Sequence, residues 1–313
     1  MQTDILSILL CLAKKEEAMI DYIKLSSRLN TTQMADLKNR IDFNGSFNES
    51  TGELETILPN GKKVATRSTG WIKNMRIVLF PSGYVEVSGS LHKYYNVGKH
   101  NYNQFGRKEA EIALKRLIEM SGLELPYFKV DSVEVGVNLM PPIPSDDIIN
   151  NALMYKRKEL VPKYCSDEGN YKQAVLSEYW LKLYNKRLHY EKQGYDIGHE
   201  ILRFELKINK MRMLAKHGVS TLENLMDKIE DIARNLLPKA WNEVLLYDPT
   251  MNKHTKAKTL QYANINFWKN LAGKNNRSYN YHHRKLYGMT EGNTCAIQAQ
   301  VEDLIMETLD GLV

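Results

Sequence analysis

Residues 176–210, LSEYWLKLYNKRLHYEKQGYDIGHEILRFELKINK, decide how this chain is interpreted. The run from Trp180 to Leu188 alternates apolar and basic residues, and the run from Ile201 to Ile208 alternates again. A period of two residues indicates strands with one buried face. Between them the two runs carry a tyrosine, a lysine and a carboxylate, Tyr184, Lys186 and Glu205. On neighbouring strands, this set suits attack on a phosphodiester.

The composition permits a nucleic-acid partner without requiring one. The 313 residues are 43% hydrophobic and 26% charged, with a formal net charge of +6. This is ordinary globular composition, and the mild basic excess is compatible with a polyanionic partner. Tyrosine outnumbers phenylalanine by 18 to 7. Tyrosine suits surfaces that stack on bases and bond to phosphates, and it also fills ordinary cores.

The cysteines and the apolar runs exclude several classes of protein. Cys11, Cys165 and Cys295 lie far apart and form no CxxC pair. We therefore expect a reducing compartment, without a disulfide framework or a structural zinc. The longest apolar run, Ile5 to Ala13, is too short to span a bilayer, and Asp4 precedes it where a secretory signal carries basic residues. We expect no membrane partner.

Periodicity along the chain predicts an α+β fold with a mainly antiparallel sheet and packed helices. The predicted strands are Met19–Leu25, Met75–Phe80, Tyr84–Ser88 and Phe128–Leu139, with a hairpin at Pro81-Ser82-Gly83 and a hairpin region over Asp42–Gly70 that turns at Pro59-Asn60-Gly61. The predicted helices are Thr32–Arg40, Arg107–Ser121 ended by Gly122, Ser145 to about Glu159, 220–246 and 258–272.

A nuclease that links itself covalently to DNA needs a tyrosine hydroxyl that attacks phosphorus, a divalent metal that polarises the phosphate, and acidic or imidazole ligands that hold the metal. Hard cations such as Mg²⁺ prefer oxygen ligands, and a histidine is tolerated where Mn²⁺ substitutes. Glu134 and Glu205 stand in apolar strands, and His100 stands in a Gly/Asn-rich segment. A glutamate in an alternating strand also commonly points to solvent, and a loop histidine is commonly a surface residue.

In combination these residues resemble the gene II replication initiators of filamentous phages, which are rolling-circle relatives of plasmid replication proteins. Four blocks match in order: Met19–Leu25 with the opening strand, Tyr84–Gly106 with the histidine segment, Val130–Glu134 with the acidic strand, and Leu183–Lys186 followed by Leu202–Glu205 with the tyrosine motif and the strand behind it. The blocks cover most of residues 19–220.

The resemblance implies a degenerate HUH/Rep-like core and a metal-dependent, site-specific DNA endonuclease that also reseals the strand. Carried over by position, Tyr184 is the nucleophile, and Lys186 contacts or activates the phosphate. His100, Glu134 and Glu205 would hold Mg²⁺ or Mn²⁺. The residues expected to contact DNA are Arg203, Lys93, Arg277, Arg284 and Lys285.

The resemblance also implies the organisation of the chain and its partners. Residues 19–215 would form the Rep-like nicking domain, and 216–313 a helical C-terminal region that binds DNA or is accessory. Residues 1–18 would be a short appended helix or an extension upstream of a natural start at Met19, and we favour the extension. The partners would be double- and single-stranded origin DNA with host helicase and polymerase, in the cytoplasm of a bacterial host.

Several alternatives stay open at the level of sequence. The His-hydrophobic-His triplet of the family is absent, so His92 rivals His100. Asp131 rivals Glu134, because relatives carry aspartate in the acidic strand. Tyr179 and Lys182 form a second tyrosine–lysine pair beside Tyr184. A non-catalytic form that binds or regulates single-stranded DNA is the main rival function, and a metal phosphatase or ordinary nuclease is the third.

Overall fold

The computed structural model describes residues 20–44, 55–57, 63–65, 67–163, 170–251, 256–257, 259–274, 276–293 and 295–311. The extension expected at 1–18 and the predicted turn Pro59-Asn60-Gly61 lie outside these ranges. Within the described ranges, none of the helices has the length and hydrophobicity needed to cross a membrane.

A ten-stranded sheet, with antiparallel pairing throughout, organises the fold. Its strands in chain order are β1 (Ile20–Arg28), β2 (Phe43–Asn44), β5 (Ser68–Ile72), β6 (Met75–Leu79), β7 (Tyr84–Ser90), β8 (Lys129–Leu139), β11 (Val161–Pro162), β12 (Tyr171–Val175), β13 (Tyr179–Asn185) and β14 (Leu202–Ile208). They lie side by side in the order β11-β12-β13-β14-β8-β1-β7-β6-β5-β2. The strands of the 176–210 stretch are therefore neighbours, and β14 also pairs with β8.

Two smaller sheets complete the strands. One pairs β3 (Glu55–Ile57) with β4 (Lys63–Ala65), and the other has the order β10-β9-β15, made of Lys158–Glu159, Ala152–Tyr155 and Val244–Leu246. The helices are α1 (Thr31–Arg40), α2 (Leu91–Tyr95), α3 (Arg107–Ser121), α4 (Ser145–Asn151), α5 (Lys186–Glu191), α6 (Arg212–Ala215), α7 (Leu222–Asn242), α8 (Ile265–Lys274), α9 (Asn276–Tyr287) and α10 (Ile297–Asp310). Short 3₁₀ turns occupy Leu125–Tyr127 and Leu260–Ala263.

The large sheet has one apolar face and one polar face. Apolar and polar residues alternate along its strands, and the register between neighbouring strands keeps residues of one kind on one face. Val133, Val135 and Val137 of β8 lie opposite Ile208, Leu206 and Phe204 of β14, and all six join the main core. Helices α3, α7 and α10 bury their apolar sides in the same core. Residues one position along each strand point the other way. The polar face so formed carries the candidate site.

Several predicted elements are confirmed. The hairpin of β6 and β7 forms around Pro81-Ser82-Gly83, and α3 spans the predicted residues. Gly122 ends α3 in the left-handed conformation with φ 71°, where glycine is favoured. The α+β class with a mainly antiparallel sheet is confirmed as well. The C-terminal helices α7 and α10 pack into the same core as the sheet.

Other predictions are wrong in extent. The helix expected from Ser145 to about Glu159 ends at Asn151, and the helix expected over 220–246 ends at Asn242. In both places the following residues form a short buried strand, and the two strands pair with each other as β9 and β15. Periodicity cannot distinguish such short, wholly buried runs from a helix. The strand expected from Trp180 to Leu188 also stops early, because the Asn185 side chain caps α5.

Gly136 of β8 allows β8 and β14 to approach each other closely at Glu205. Its register partner across the ladder is Glu205. A Cβ atom at position 136 would lie 2.4 Å from the Glu205 Cβ and 2.6 Å from the Phe204 carbonyl oxygen. Backbone atoms would have to move to admit it, so only glycine fits here without rearrangement.

Replacing Gly136 with alanine should lower the free energy of unfolding by roughly 1–3 kcal/mol, the usual cost of forcing extra atoms into a packed site. Gly198→Ala is the matched control, since a Cβ at that position meets nothing within 4 Å. Urea denaturation followed by circular dichroism measures both variants. Equal stability would show that the close approach at Gly136 is not a constraint.

Candidate active site

A cavity of about 200 Å³ opens on the polar face of the sheet. It is formed where β1, β8, β12, β13 and β14 run side by side, with side chains from α2 and α5 at its edge. The residues that line it are Asp21, Tyr22, Ser90, Lys93, Asn101, Glu134, Lys163, Tyr171, Lys182, Tyr184, His189 and Glu205. One tyrosine proposed as nucleophile therefore shares a cavity with three carboxylates and three lysines.

Lys182 links the carboxylates of two other strands. Its Nζ donates to Glu134 Oε1 at 2.9 Å and lies 2.8 Å from Glu205 Oε1. Lys207 also reaches Glu134 Oε1, at 2.9 Å. Burial alone would lower the pKa of Lys182, but the charges of Glu205 and Glu134 outweigh it and raise that pKa above its ordinary value. Lys182 is therefore a fixed positive charge in the wall of the cavity.

The pKa values of Glu205 and Glu134 shift in opposite directions. Burial would raise the pKa of Glu205, but Lys182 and Arg203 overcome it and hold that pKa below its ordinary value. Burial and the neighbouring negative charge of Glu205 raise the pKa of Glu134. Glu134 is thus the more basic of the pair and the better proton acceptor.

Arg203 connects this pair to a third carboxylate, Asp21 of β1. Its Nε donates to Glu205 Oε2 at 2.8 Å, and its Nη2 lies 3.7 Å from Asp21 Oδ2. Arg203 is fully buried. The alternation over Ile201–Ile208 predicts that Arg203 and Glu205, two residues apart, share one face, and the structure confirms this. A buried arginine with two carboxylate neighbours is held rigidly, because any departure leaves a buried charge unpaired.

Asp21 is the residue that sequence reasoning missed. Its carboxylate accepts hydrogen bonds from Ser90 Oγ and from Asn101 Nδ2. Burial would raise its pKa, but Lys186 and Arg203 outweigh that effect and keep the pKa below its ordinary value. An aspartate inside the apolar run Ile20–Leu25 was the available signal. Asn101 had no such signal, because its contacts come from distant segments.

Lys186 lies beneath the cavity rather than in its wall. Its side chain is fully buried, and Nζ donates to Asn138 Oδ1 at 3.1 Å. Burial and the nearby Arg203 lower the pKa of Lys186 to about 7. The same Asn138 oxygen accepts from Arg203 Nη1 at 3.3 Å. Burial therefore favours the neutral form of Lys186, and in its charged form Lys186 lowers the pKa of Asp21.

The two rival tyrosines lie on opposite faces of β13. Tyr184 lines the cavity and pairs across the ladder with Arg203. Tyr179 is buried on the apolar face, where its hydroxyl forms a 2.8 Å hydrogen bond with that of Tyr155. Burial and the nearby Glu205 raise the pKa of Tyr184 well above its ordinary value. Its phenol stays protonated at neutral pH and must lose the proton as it reacts.

Neither histidine considered for a metal is among the residues that line the cavity. His92 is buried, stacks on Phe105 at 4.4 Å and contacts Asn103 through Nε2 at 2.9 Å. Burial and Lys186 lower its pKa to about 3, so it is neutral. The ring of His100 stacks on Tyr102 at 4.2 Å, at the edge of a cluster of tyrosines.

The residues predicted to hold a divalent metal do not fit one in this arrangement. Glu134 and Glu205 are brought together, but Lys182 occupies the space between them and two more cations contact them. In the described ranges, no group of three or more His, Cys, Asp or Glu residues is placed to hold a metal ion. Dependence on Mg²⁺ or Mn²⁺ stays a prediction that rests on the family resemblance.

The predicted DNA-contacting residues fall into two regions. Lys93 lines the cavity, whereas Arg203 is fully buried and reaches the cavity only through its ion pair with the lining residue Glu205. Arg277, Arg284 and Lys285 are exposed on α9, at the other end of the chain. Around them the sequence is charge-segregated: residues 249–290 contain eight Lys or Arg and no Asp or Glu. Since the whole chain carries +6, the remaining residues sum to −2.

Among solved structures, the chain is similar to the rolling circle replication initiator protein from Geobacillus stearothermophilus. The TM-score is 0.41 at 12% sequence identity, and the similarity covers 81% of this chain and 94% of that one. No family model matches the sequence, and no curated protein matches it either. A similarity of this size does not assign a family, so the chemistry of the cavity has to support any conclusion about function.

The buried Lys186 should make stability depend on pH. Its pKa is about 7 in the fold against an ordinary value of 10.5, so between these values the unfolded chain binds the extra proton and stability rises with pH. Lys186→Met should remove this rise. Each unit by which folding lowers the pKa contributes about 1.4 kcal/mol to the rise in the free energy of unfolding. The measurement is urea unfolding of both proteins at several pH values across that window.

Lys216→Met removes an exposed lysine and serves as the control for a change in net charge. Parent and Lys186→Met curves that stay parallel across the window would show that Lys186 does not lose its proton on folding.

Proposed function

We propose that this chain initiates rolling-circle replication by nicking one strand of origin DNA and later resealing it. The observation that carries the proposal is the placement of Tyr184 in one cavity with Lys93, Lys182 and three carboxylates. A tyrosine that attacks phosphorus needs positive charge near the phosphate and an acceptor for its proton. This cavity offers both.

In the proposed reaction, the hydroxyl oxygen of Tyr184 attacks the phosphorus of a DNA phosphodiester. A bond from tyrosine to phosphorus forms while the bond to the 3′ oxygen breaks. The products are a 5′-phosphotyrosine and a 3′-hydroxyl, and the proton lost by Tyr184 balances, through solvent, the proton gained by the 3′ oxygen. The phosphotyrosine conserves the energy of the ester, so a 3′-hydroxyl can later attack it and reseal the strand.

The surrounding side chains would divide the remaining tasks. Glu134, whose pKa is raised by burial and by Glu205, is the best-suited acceptor for the Tyr184 proton. Lys182 and Arg203 would stabilise the charge that develops on the phosphate, the effect that usually dominates phosphoryl transfer. Lys93, at the edge of the cavity, would hold the DNA backbone.

The basic C-terminal segment would supply most of the affinity for DNA. Helix α9 exposes Arg277, Arg284 and Lys285 together with Tyr281. Cations that pair with phosphates and an exposed ring that stacks on bases are the usual elements of such a surface. A host helicase and polymerase would then open the duplex and extend the freed 3′ end in the cytoplasm of a bacterial host.

Tyr184→Phe should abolish the covalent DNA adduct while leaving DNA affinity nearly unchanged, because only the nucleophilic oxygen is removed. Tyr179→Phe is the matched control on the other face of β13, and it should form the adduct at the parent's level. The assay uses a random-sequence library of single-stranded DNA together with supercoiled origin-bearing DNA. Each reaction is run with Mn²⁺ and with EDTA, and the protein is resolved on a denaturing gel.

The outcomes separate the rival functions. An adduct that survives Tyr184→Phe but not Tyr179→Phe would move the nucleophile to the apolar face. Cleavage without any adduct would identify an ordinary nuclease. DNA binding with neither cleavage nor adduct would identify a non-catalytic form of such an initiator.

Replacing Arg277, Arg284 and Lys285 with glutamine should weaken DNA binding and flatten its dependence on salt. Each lost phosphate contact should reduce the slope of log affinity against log salt by about 0.9 for duplex DNA. The control replaces three exposed lysines elsewhere, Lys108, Lys115 and Lys216. Fluorescence anisotropy at several salt concentrations measures both. Equal slopes in the two triple variants would mean that α9 is only a solvated basic face.

A further inference from the structure

We infer that the Lys182 ammonium takes the place of a divalent cation between Glu134 and Glu205, so that the parent protein needs no metal there and removal of Lys182 creates a metal site. The first half of this inference, metal-free nicking, rests on the proposed function. The second half, the appearance of a metal site, concerns binding alone and stands independently of it.

The geometry of Lys182 is that of a bridging cation. Its Nζ contacts one oxygen from Glu134 at 2.9 Å and one from Glu205 at 2.8 Å, and the two glutamates come from different strands. Carboxylate oxygens that converge from separate strands are the usual ligands of Mg²⁺ and Mn²⁺. In this protein, the Lys182 ammonium group occupies the position on which the Glu134 and Glu205 oxygens converge.

The charges of the ion-paired groups balance without an added ion, and Lys186 nearby adds only positive charge. Three carboxylates, Asp21, Glu134 and Glu205, are joined by ion pairs to three cations, Lys182, Arg203 and Lys207. A divalent cation bound beside them would leave two positive charges unpaired in a largely buried network. Buried charge without a partner is strongly unfavourable. The network therefore opposes metal binding as long as Lys182 is present.

Removal of the ammonium reverses this balance. Lys182→Met keeps the length and the apolar stem of the side chain but leaves Glu134 and Glu205 facing each other without the charge between them. Like charges at that separation repel, and a divalent cation relieves the repulsion while using the same oxygens. Affinity for a hard cation should therefore increase in the variant.

The direct test is Mn²⁺ binding, followed by the loss of the electron paramagnetic resonance signal of free Mn²⁺. The proteins are the parent, Glu205→Gln, Lys182→Met, the double variant Lys182→Met/Glu205→Gln, and Lys24→Met. Lys24 of β1 forms an ion pair with Glu86 of β7 at 3.0 Å. The Lys24→Met variant therefore controls for the loss of a different lysine from the sheet. Circular dichroism verifies that each variant is folded.

We expect one saturable Mn²⁺ site in Lys182→Met, with affinity at least about tenfold above the parent, and its loss in the double variant. The parent and Lys24→Met should bind alike and weakly. A saturable site in the parent that Glu205→Gln removes would overturn the inference, and this measurement remains decisive even if Lys182→Met does not fold. Equal binding by the parent and Lys182→Met would overturn it too.

The activity of the parent provides a second test. Adduct formation in EDTA should match that in Mn²⁺ within about twofold, because Lys182 and Arg203 already supply the positive charge. An adduct that forms only with metal would refute metal-free nicking. If no adduct forms under any condition, the proposed function fails, and Mn²⁺ binding still decides whether Lys182 takes the place of a metal.

Discussion

Lys182 bridges two carboxylates that belong to two other strands, and the polar face of the sheet is arranged around this contact. Glu205 reaches it directly across the β13–β14 ladder, and Glu134 reaches it from the strand beyond. Gly136 permits the close approach of the strands at this point. Because each buried charge needs its partner, the position of one side chain fixes those of the others. Tyr184, on the same face, shares the cavity that results.

One face of the sheet forms the hydrophobic core, and the other face carries the candidate site. The apolar face packs against helices from both the middle and the end of the chain, so α7 and α10 belong to the same core as the strands. The charged side chains on the opposite face are paired with one another, so the sheet can bury them there. The basic excess of the chain lies elsewhere, in residues 249–290. The region proposed to attract DNA and the cavity proposed to act on it are thus separate in sequence.

Alternation in the sequence predicted which side chains share a face, and it predicted less about which side chains meet. Phe204 and Leu206 pointed to the core, so Glu205 and Arg203 had to lie opposite, and they do. The role of Lys182 depends on the register among β13, β14 and β8, which no local pattern contains. Asp21 and Asn101 meet through contacts between distant segments. The short strands β9 and β15 differ from helix only through their mutual pairing, which periodicity does not reveal.

In the proposed reaction Tyr184 becomes covalently joined to DNA, and mapping the attachment site tests this claim most directly. Trypsin cleaves after Lys182 and Lys186, so Tyr184 falls in the peptide 183–186, whereas Tyr179 falls in the peptide 173–182. The gel-purified adduct, digested with nuclease and trypsin, should yield peptide 183–186 carrying a nucleotide 5′-phosphate in tandem mass spectra. A nucleotide on peptide 173–182, or on any other peptide in place of 183–186, would contradict the claim.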